Sequence, residues 1–286
     1  MLPYLIIFLV WEIAPFFFGL WISFTNYNLL HLNTLKFVGL ENYAKVFTDE
    51  LVGTAFLNTV YYAGGLVVIG FILALILAMT MNSTRFGSKF LKWVCFIPYI
   101  MTISATGIIW KRIYAGQYGI LAQIFKAVGL PSLAFLNNSG TAMPAVIVVG
   151  IWIGIGYWAL ILMAGLQNIP KELYEAAMID GAGKWGQLRF ITLPLLRPII
   201  FFVLTIAIIG SFQVFGLVTT LTGGGMGEVY GGNPGYHTLT IVMLIYAQAF
   251  KLLDMGYGAA LSWILFAIIM VVTLLQMKFI GFGWEE

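Results

Sequence analysis

The ionisable residues of this chain are sparse, and their densest cluster lies in one stretch. From Lys171 to Pro198 it reads KELYEAAMIDGAGKWGQLRFITLPLLRP, with Lys171, Glu172, Glu175 and Asp180 ahead of Lys184, Arg189 and Arg197. These residue types suit recognition better than bond-making. Paired carboxylates, a histidine cluster and a nucleophile beside a base are all missing at membrane depth. ATP hydrolysis is also excluded. A phosphate-binding loop needs Gly-x4-Gly-Lys followed by Ser or Thr, so that backbone N–H groups and the lysine hold phosphates. Gly183-Lys184 is followed by Trp185, and Met178 occupies the leading glycine position. The single cysteine, Cys95, cannot form an internal disulfide, and His31 and His237 are too far apart to suggest a metal site. The sequence therefore predicts no enzyme.

Two other groups of polar residues interrupt apolar runs. Trp152, Tyr157 and Trp158, then Ser211, Phe212 and Gln213, then Tyr246 and Gln248, combine ring faces with amide and hydroxyl groups. Polar groups within a span usually face the bundle interior, so Gln213 is the leading candidate for contact with a bound molecule. The competing role for it is an interhelical hydrogen bond, and for the tryptophans it is packing or interfacial anchoring. Glu12 is a lone acid near the middle of the first apolar run. It is either an ion or proton site, as in an ion-coupled secondary transporter, or one inward-facing acid that meets a partner. A relay needs a second intramembrane charge, which favours the latter.

The elements that hold these residues follow from composition. Of 286 residues 61% are hydrophobic and 9% charged, with a mean hydropathy of +0.98, whereas soluble domains carry about 25% charged residues. This is an all-α integral membrane protein. Runs of about 20 apolar residues predict six spans at 2–24, 57–81, 93–110, 142–166, 199–221 and 257–280, the third bent at Pro98. The apolar run 238–252 is too short to cross and reads as a half-span or surface helix. The chain forms a single transmembrane domain, 1–286, with the charged loop at about 167–197. Loops 82–92 and 167–197 together with the tail hold eight Lys and Arg, against six in the much longer segments opposite. By the positive-inside rule the charged loop and both termini face the cytoplasm. A net charge of +3, spread along the chain, does not suggest nucleic acid.

Within the loop, Pro170 suits a helix start, Glu172 and Glu175 suit its dipole, and Gly181 suits a left-handed stop. A short helix over about 170–180 brings Leu173, Ala176, Ala177 and Asp180 to one face, with alanines at its centre. A bare face lets another protein's backbone approach, whereas a lipid-surface helix calls for bulky apolar residues and a lysine-rich flank. A second short helix, about 184–192, presents Trp185, Leu188 and Ile191. Pro194 and Pro198 then break it and turn the chain back into the membrane.

Glu175-Ala176-Ala177, Gly181, Ile191 and Leu193-Pro194 match every position of Glu-Ala-Ala-x3-Gly-x9-Ile-x-Leu-Pro. This stretch resembles the EAA loop of ABC importer permeases. Ser23–Tyr27 and Phe37–Tyr43 resemble the first external segment of the carbohydrate permeases of maltose and glycerol-3-phosphate type. Phe212–Phe215, Leu221–Gly225 and Gly256–Ser262 resemble their later spans, so the resemblance runs over nearly the whole chain. Gly216 and Met226 depart from the acidic residue and the proline frequent there, which blurs the cargo. The resemblance implies six spans of the type I importer kind. It places Glu175, Ala176, Ala177, Asp180 and Gly181 in the cleft of an ATPase subunit, with Ile191 and Pro194 setting the return into the fifth span. It implies a second homologous permease, two cytoplasmic ATPase subunits that bind the ATP and Mg, an extracytoplasmic solute-binding protein, and a sugar as cargo. The cargo set is Gln213, Phe212, Ser211, Tyr246, Trp152 and Trp158. With no basic residue within spans four or five, the sequence favours a neutral saccharide.

Overall fold

Apolar side chains and backbone polar groups have opposite needs in lipid, and a helix meets both by bonding its N–H and C=O groups internally. Four helices are long and apolar enough to cross: Pro3–Ser23, Glu50–Asn82, Ser139–Gln167 and Met255–Phe279. Two further crossings complete a set of six: the bent pair Phe90–Ile100 with Ile103–Ile113, and Arg197–Phe212, which meets the preceding helix Lys184–Leu195 at a second bend. The computed structural model describes residues 2–30, 35–83, 88–116, 118–129, 131, 134–223 and 228–281. Among these there is no β-sheet, only the isolated bridges Thr25–Phe37 and Asn28–Asp254. His31, Arg85 and Met226, and Gly224 and Gly225 of the resembling motif, lie outside the described residues.

The fourth span is the hub, with 61% of its apolar window buried, against 6% for the first span. Glycines permit the close packing. A Cβ on Gly65 would lie 2.8 Å from Ile147 Cδ1, one on Gly70 2.7 Å from the Trp158 ring, and one on Gly150 2.6 Å from the Tyr62 hydroxyl. Spans two and four therefore approach through small residues. The first span touches the last through Phe16, whose ring lies 4.7 Å from that of Trp263 and 6.0 Å from that of Phe266. The last span is tied to the fifth by Gln276, whose side-chain amide donates to the Phe201 carbonyl at 3.0 Å.

Two expected spans are not continuous. The third does not bend at Pro98, which lies inside the helix Ser88–Ile100. It turns through 100° at Met101–Thr102, where the Thr102 hydroxyl accepts from the Ala105 N–H at 3.4 Å and starts Ile103–Ile113. The fifth span runs Arg197–Phe212, breaks over Gln213–Phe215, and resumes as Gly216–Thr222. The two outer halves pair with each other: a Cβ on Gly107 would lie 2.6 Å from Thr220 Cγ2, and one on Gly216 3.3 Å from Ile103 Cγ2. The short apolar run is a helix of eleven residues, Ile241–Lys251, as its length implied.

On one side of the bundle, helix Glu41–Thr48 is fastened to the start of the last span. Asp254 caps that span by accepting from the Tyr257 N–H at 3.2 Å, and it pairs with Lys45 at 3.5 Å. The Lys45 ammonium stands 4.0 Å over the Tyr257 ring, and the Tyr257 hydroxyl donates to Asp49 at 2.8 Å. The charged loop follows span four, at its C-terminal end.

Candidate docking surface and cargo path

The charged loop folds into two short helices that expose most of their side chains, while Tyr174 and Ile191 pack against the core. The first is Lys171–Ile179, with Pro170 at its N-cap, one position ahead of the expected first turn. It ends in a left-handed turn. Gly181 has φ +80°, its N–H donates to the Met178 carbonyl at 3.1 Å, and the Ala182 N–H donates to the Ala177 carbonyl at 2.8 Å. These two bonds make a Schellman cap, which explains why glycine follows Asp180. The second helix starts at Lys184 and extends past the expected 192. It widens to a π turn over Leu188–Thr192 and then closes as Leu193–Leu195. Pro194 lies within this continuous helix, just after the widened turn, and has no N–H to give to the turn before it. The 72° bend falls after Leu195, before Arg197–Phe212.

The seven residues assigned to docking do not all stand alike. Glu175, Ala176, Asp180 and Gly181 are exposed, while Ala177, Ile191 and Pro194 are half-buried. Around the bare alanine patch the helices also expose bulky apolar groups, Met178, Ile179, Trp185 and Phe190, with Ile179 88% exposed. A patch of this kind, rimmed by charged groups, marks a contact surface. The bulky rim was read only at Trp185; Met178, Ile179 and Phe190 lie off the helical face that the spacing singled out.

The cargo candidates divide into two sets. Ser211, Phe212 and Gln213 lie at the break in the fifth span. Ser211 is buried and donates to the Ile208 carbonyl at 2.8 Å, Phe212 is buried, and Gln213 is exposed at the helix end. Two residues on, the Phe215 ring lies 5.1 Å from that of Tyr246, and the Val214 carbonyl accepts from the Thr240 hydroxyl at 3.1 Å. Trp152 and Trp158 lie elsewhere, on span four. The Trp152 ring meets that of Trp110 edge-on at 5.5 Å. Trp158 is buried against Gly70 of span two. Beside the Phe215–Tyr246 pair lies a cavity of about 390 Å³ whose lining includes Thr219, Tyr230, Met243 and Lys251, within the range of small-molecule clefts. Burial raises the Tyr230 phenol above its usual range, and the Asp49 carboxylate adds to that. It therefore stays a neutral donor and acceptor. Lys251 donates to the Glu228 carbonyl at 2.9 Å. Tyr230 and Lys251 escaped the sequence reading because both lie in irregular or short apolar segments with no periodicity to place them.

Glu12 lies in a π turn, Leu9–Ile13, and is exposed. The ion pair among the described residues is Lys45–Asp254, so none of the described cations pairs with Glu12. That position does not suit an ion relay through the bundle.

Residues 67–281 match the family model described as "Binding-protein-dependent transport system inner membrane component". The chain is 34% identical over 282 residues to the arabinooligosaccharides transport system permease protein AraP of Bacillus subtilis (strain 168), covering 98% of this chain and 86% of that one. It is 32% identical over 286 residues to the sn-glycerol-3-phosphate transport system permease protein UgpA of Yersinia pestis, covering 98% and 94%. Its fold is shared with a chain of a bacterial ABC transporter involved in the import of the acidic polysaccharide alginate, with a TM-score of 0.84 at 22% identity, covering 98% and 92%.

Proposed function

The chain belongs to the family of binding-protein-dependent transport system inner membrane components, so it is a multi-pass permease and not an enzyme, and we propose that it is the permease subunit of an ATP-driven sugar importer. It forms the cargo path together with a second, homologous permease. Two cytoplasmic ATPase subunits bind the ATP and Mg. An extracytoplasmic solute-binding protein delivers the sugar. The charged loop and both termini lie on the cytoplasmic side, in keeping with the denser Lys and Arg there.

The observation that carries this reading is the exposed pair of short helices between spans four and five. They offer a bare Ala176–Ala177 centre, a left-handed Gly181 and an apolar rim, in a chain with no phosphate-binding loop of its own. Glu175, Ala176, Ala177, Asp180 and Gly181 seat in the ATPase, while Ile191 and Pro194 hold the return into span five. Closing of the ATPase pair moves these helices and switches the spans from inward- to outward-facing.

Gln213, Phe212, Ser211 and Tyr246 line the cargo path at the broken fifth span. Broken helices mark binding sites in transporters, since irregular backbone at membrane depth is tolerated where it lines a cavity or is buried in protein. Trp152 and Trp158 support that path from span four. The cargo is a neutral saccharide. Its ring faces fit Phe215, Tyr230 and Tyr246, and the nearby cation, Lys251, is already engaged with the Glu228 carbonyl.

The test is uptake of a panel of radiolabelled neutral saccharides into vesicles containing the whole complex. Uptake is expected to stop when the ATPase partner is inactivated and to persist when ion gradients are collapsed. Uptake that survives without ATP and fails without the gradient overturns the reading in favour of an ion-coupled transporter.

A further inference from the structure

The two short helices are joined by Gly181, Ala182 and Gly183. A Cβ at either glycine would meet nothing within 4 Å, so the glycines of the link are held by backbone hydrogen bonds and not by side-chain packing; the Gly181 and Ala182 N–H groups cap the first helix, and the Gln187 side-chain amide donates to the Ala182 carbonyl at 3.4 Å. Force applied to the first helix would dissipate there if the backbone were its sole route.

A second route crosses the gap. The Tyr174 hydroxyl lies 3.0 Å from the Thr192 hydroxyl, eighteen residues away in sequence. Thr192 is 4% exposed. Its hydroxyl also lies 3.2 Å from the Gln187 carbonyl, which can only accept. A threonine hydroxyl has one proton to give, and that proton goes to Gln187. Tyr174 is therefore the donor to Thr192, and the bonds run in one direction, from the first helix to the π turn that leads into span five. Downstream, Leu196 is fully buried. Leu196 and Ile199 press on Gly165 of span four, where any Cβ would collide with both side chains.

We propose that Tyr174 and Thr192 form a clasp that makes the two short helices move as one body, carrying motion at the docking face to the start of span five past the compliant glycine link. Gly165 gives span five a close bearing on span four. Both residues are positioning residues, and the clasp rests on the docking role assigned to the loop above. Hydropathy and helical spacing do not indicate it, because it joins two elements through side-chain oxygens.

The experiment needs no cargo. In the complete complex, spin labels are placed at Glu172 on the first helix, Phe202 on span five and Val148 on span four, all exposed sites. Distances 172–148 and 202–148 are measured before and after ATP with vanadate. Both are expected to shift when the clasp is intact. In Tyr174→Phe the 172–148 shift remains, while the 202–148 shift falls to about half or less, in line with the loss of one hydrogen bond. Thr192→Val gives the same result, Thr192→Ser restores it, and the double variant is no worse than either single one, as expected of partners in one interaction. If Tyr174→Phe and Thr192→Val both leave the 202–148 shift unchanged, or if their effects add, the clasp is overturned while the docking role stands. A complex with the clasp intact in which ATP moves neither distance overturns the docking role and the clasp with it. Should Tyr174→Phe fail to assemble, Thr192→Val and Thr192→Ser decide by the same distances.

Discussion

Gln213 shows how much a residue's meaning depends on where its helix stops. Within a continuous span its amide would need a partner on a neighbouring helix. At the end of Arg197–Phe212 it is exposed, two residues before Phe215, whose ring pairs with that of Tyr246. Gln213→Ala is expected to lower sugar uptake about two- to tenfold, as loss of one hydrogen bond implies, with unchanged recovery of the assembled complex. A loss of assembly instead would make it a packing residue. The local signs of Gly181 were legible, because acids at a helix start and glycine at its stop act through the backbone itself. Trp158 was not legible. Apolar composition cannot distinguish a ring facing a path from one laid on Gly70 of a neighbouring span.

At the scale of elements, the four unbroken spans were readable from hydropathy to within a few residues at most ends, and span two begins earlier than expected. The two broken spans were not. Hydropathy continues through Met101–Thr102 and through Gln213–Phe215, and neither break contains proline or glycine. Pro98, the obvious breaker, is accommodated inside its helix. We attribute the breaks to tertiary contact between Ile103–Ile113 and Gly216–Thr222, which meet through Gly107 against Thr220. Gly107→Leu is therefore expected to force these half-helices apart. A destabilisation of about 1–3 kcal/mol, typical of overpacking, should appear as a lower midpoint in thermal unfolding of the detergent-solubilised protein. Gly53→Leu is the control, since a Cβ there meets nothing within 4 Å. Equal midpoints for the two variants would mean that the breaks have another origin.

At the scale of the whole molecule, the proposed function requires the charged loop and the segment around Tyr118 to lie on opposite sides of the membrane. In a Cys95→Ser background, Tyr118→Cys is expected to react with a membrane-impermeant maleimide in intact cells. Glu172→Cys should react only after the membrane is opened. Both positions are exposed, so the reverse pattern would invert the topology rather than report burial. The charge count gave this orientation a basis in sequence, although Lys111 and Arg112 stand on the side it makes external.

The pairing of the first span with the last sets a schedule for how the chain is made. Phe16 enters the bilayer early in synthesis, but Trp263 and Phe266, the rings it packs on, emerge nearly 250 residues later. At ribosomal speeds of about 5–20 residues per second, the first span spends roughly 12–50 s in lipid before this contact can form. Its hydropathy of 2.2 suits that interval, whereas Glu12 sits in it with no ion-pair partner among the described residues. Translation that stops before residue 255 would leave a membrane-anchored fragment whose first span has lost its main partner, an exposed segment that membrane quality control can recognise.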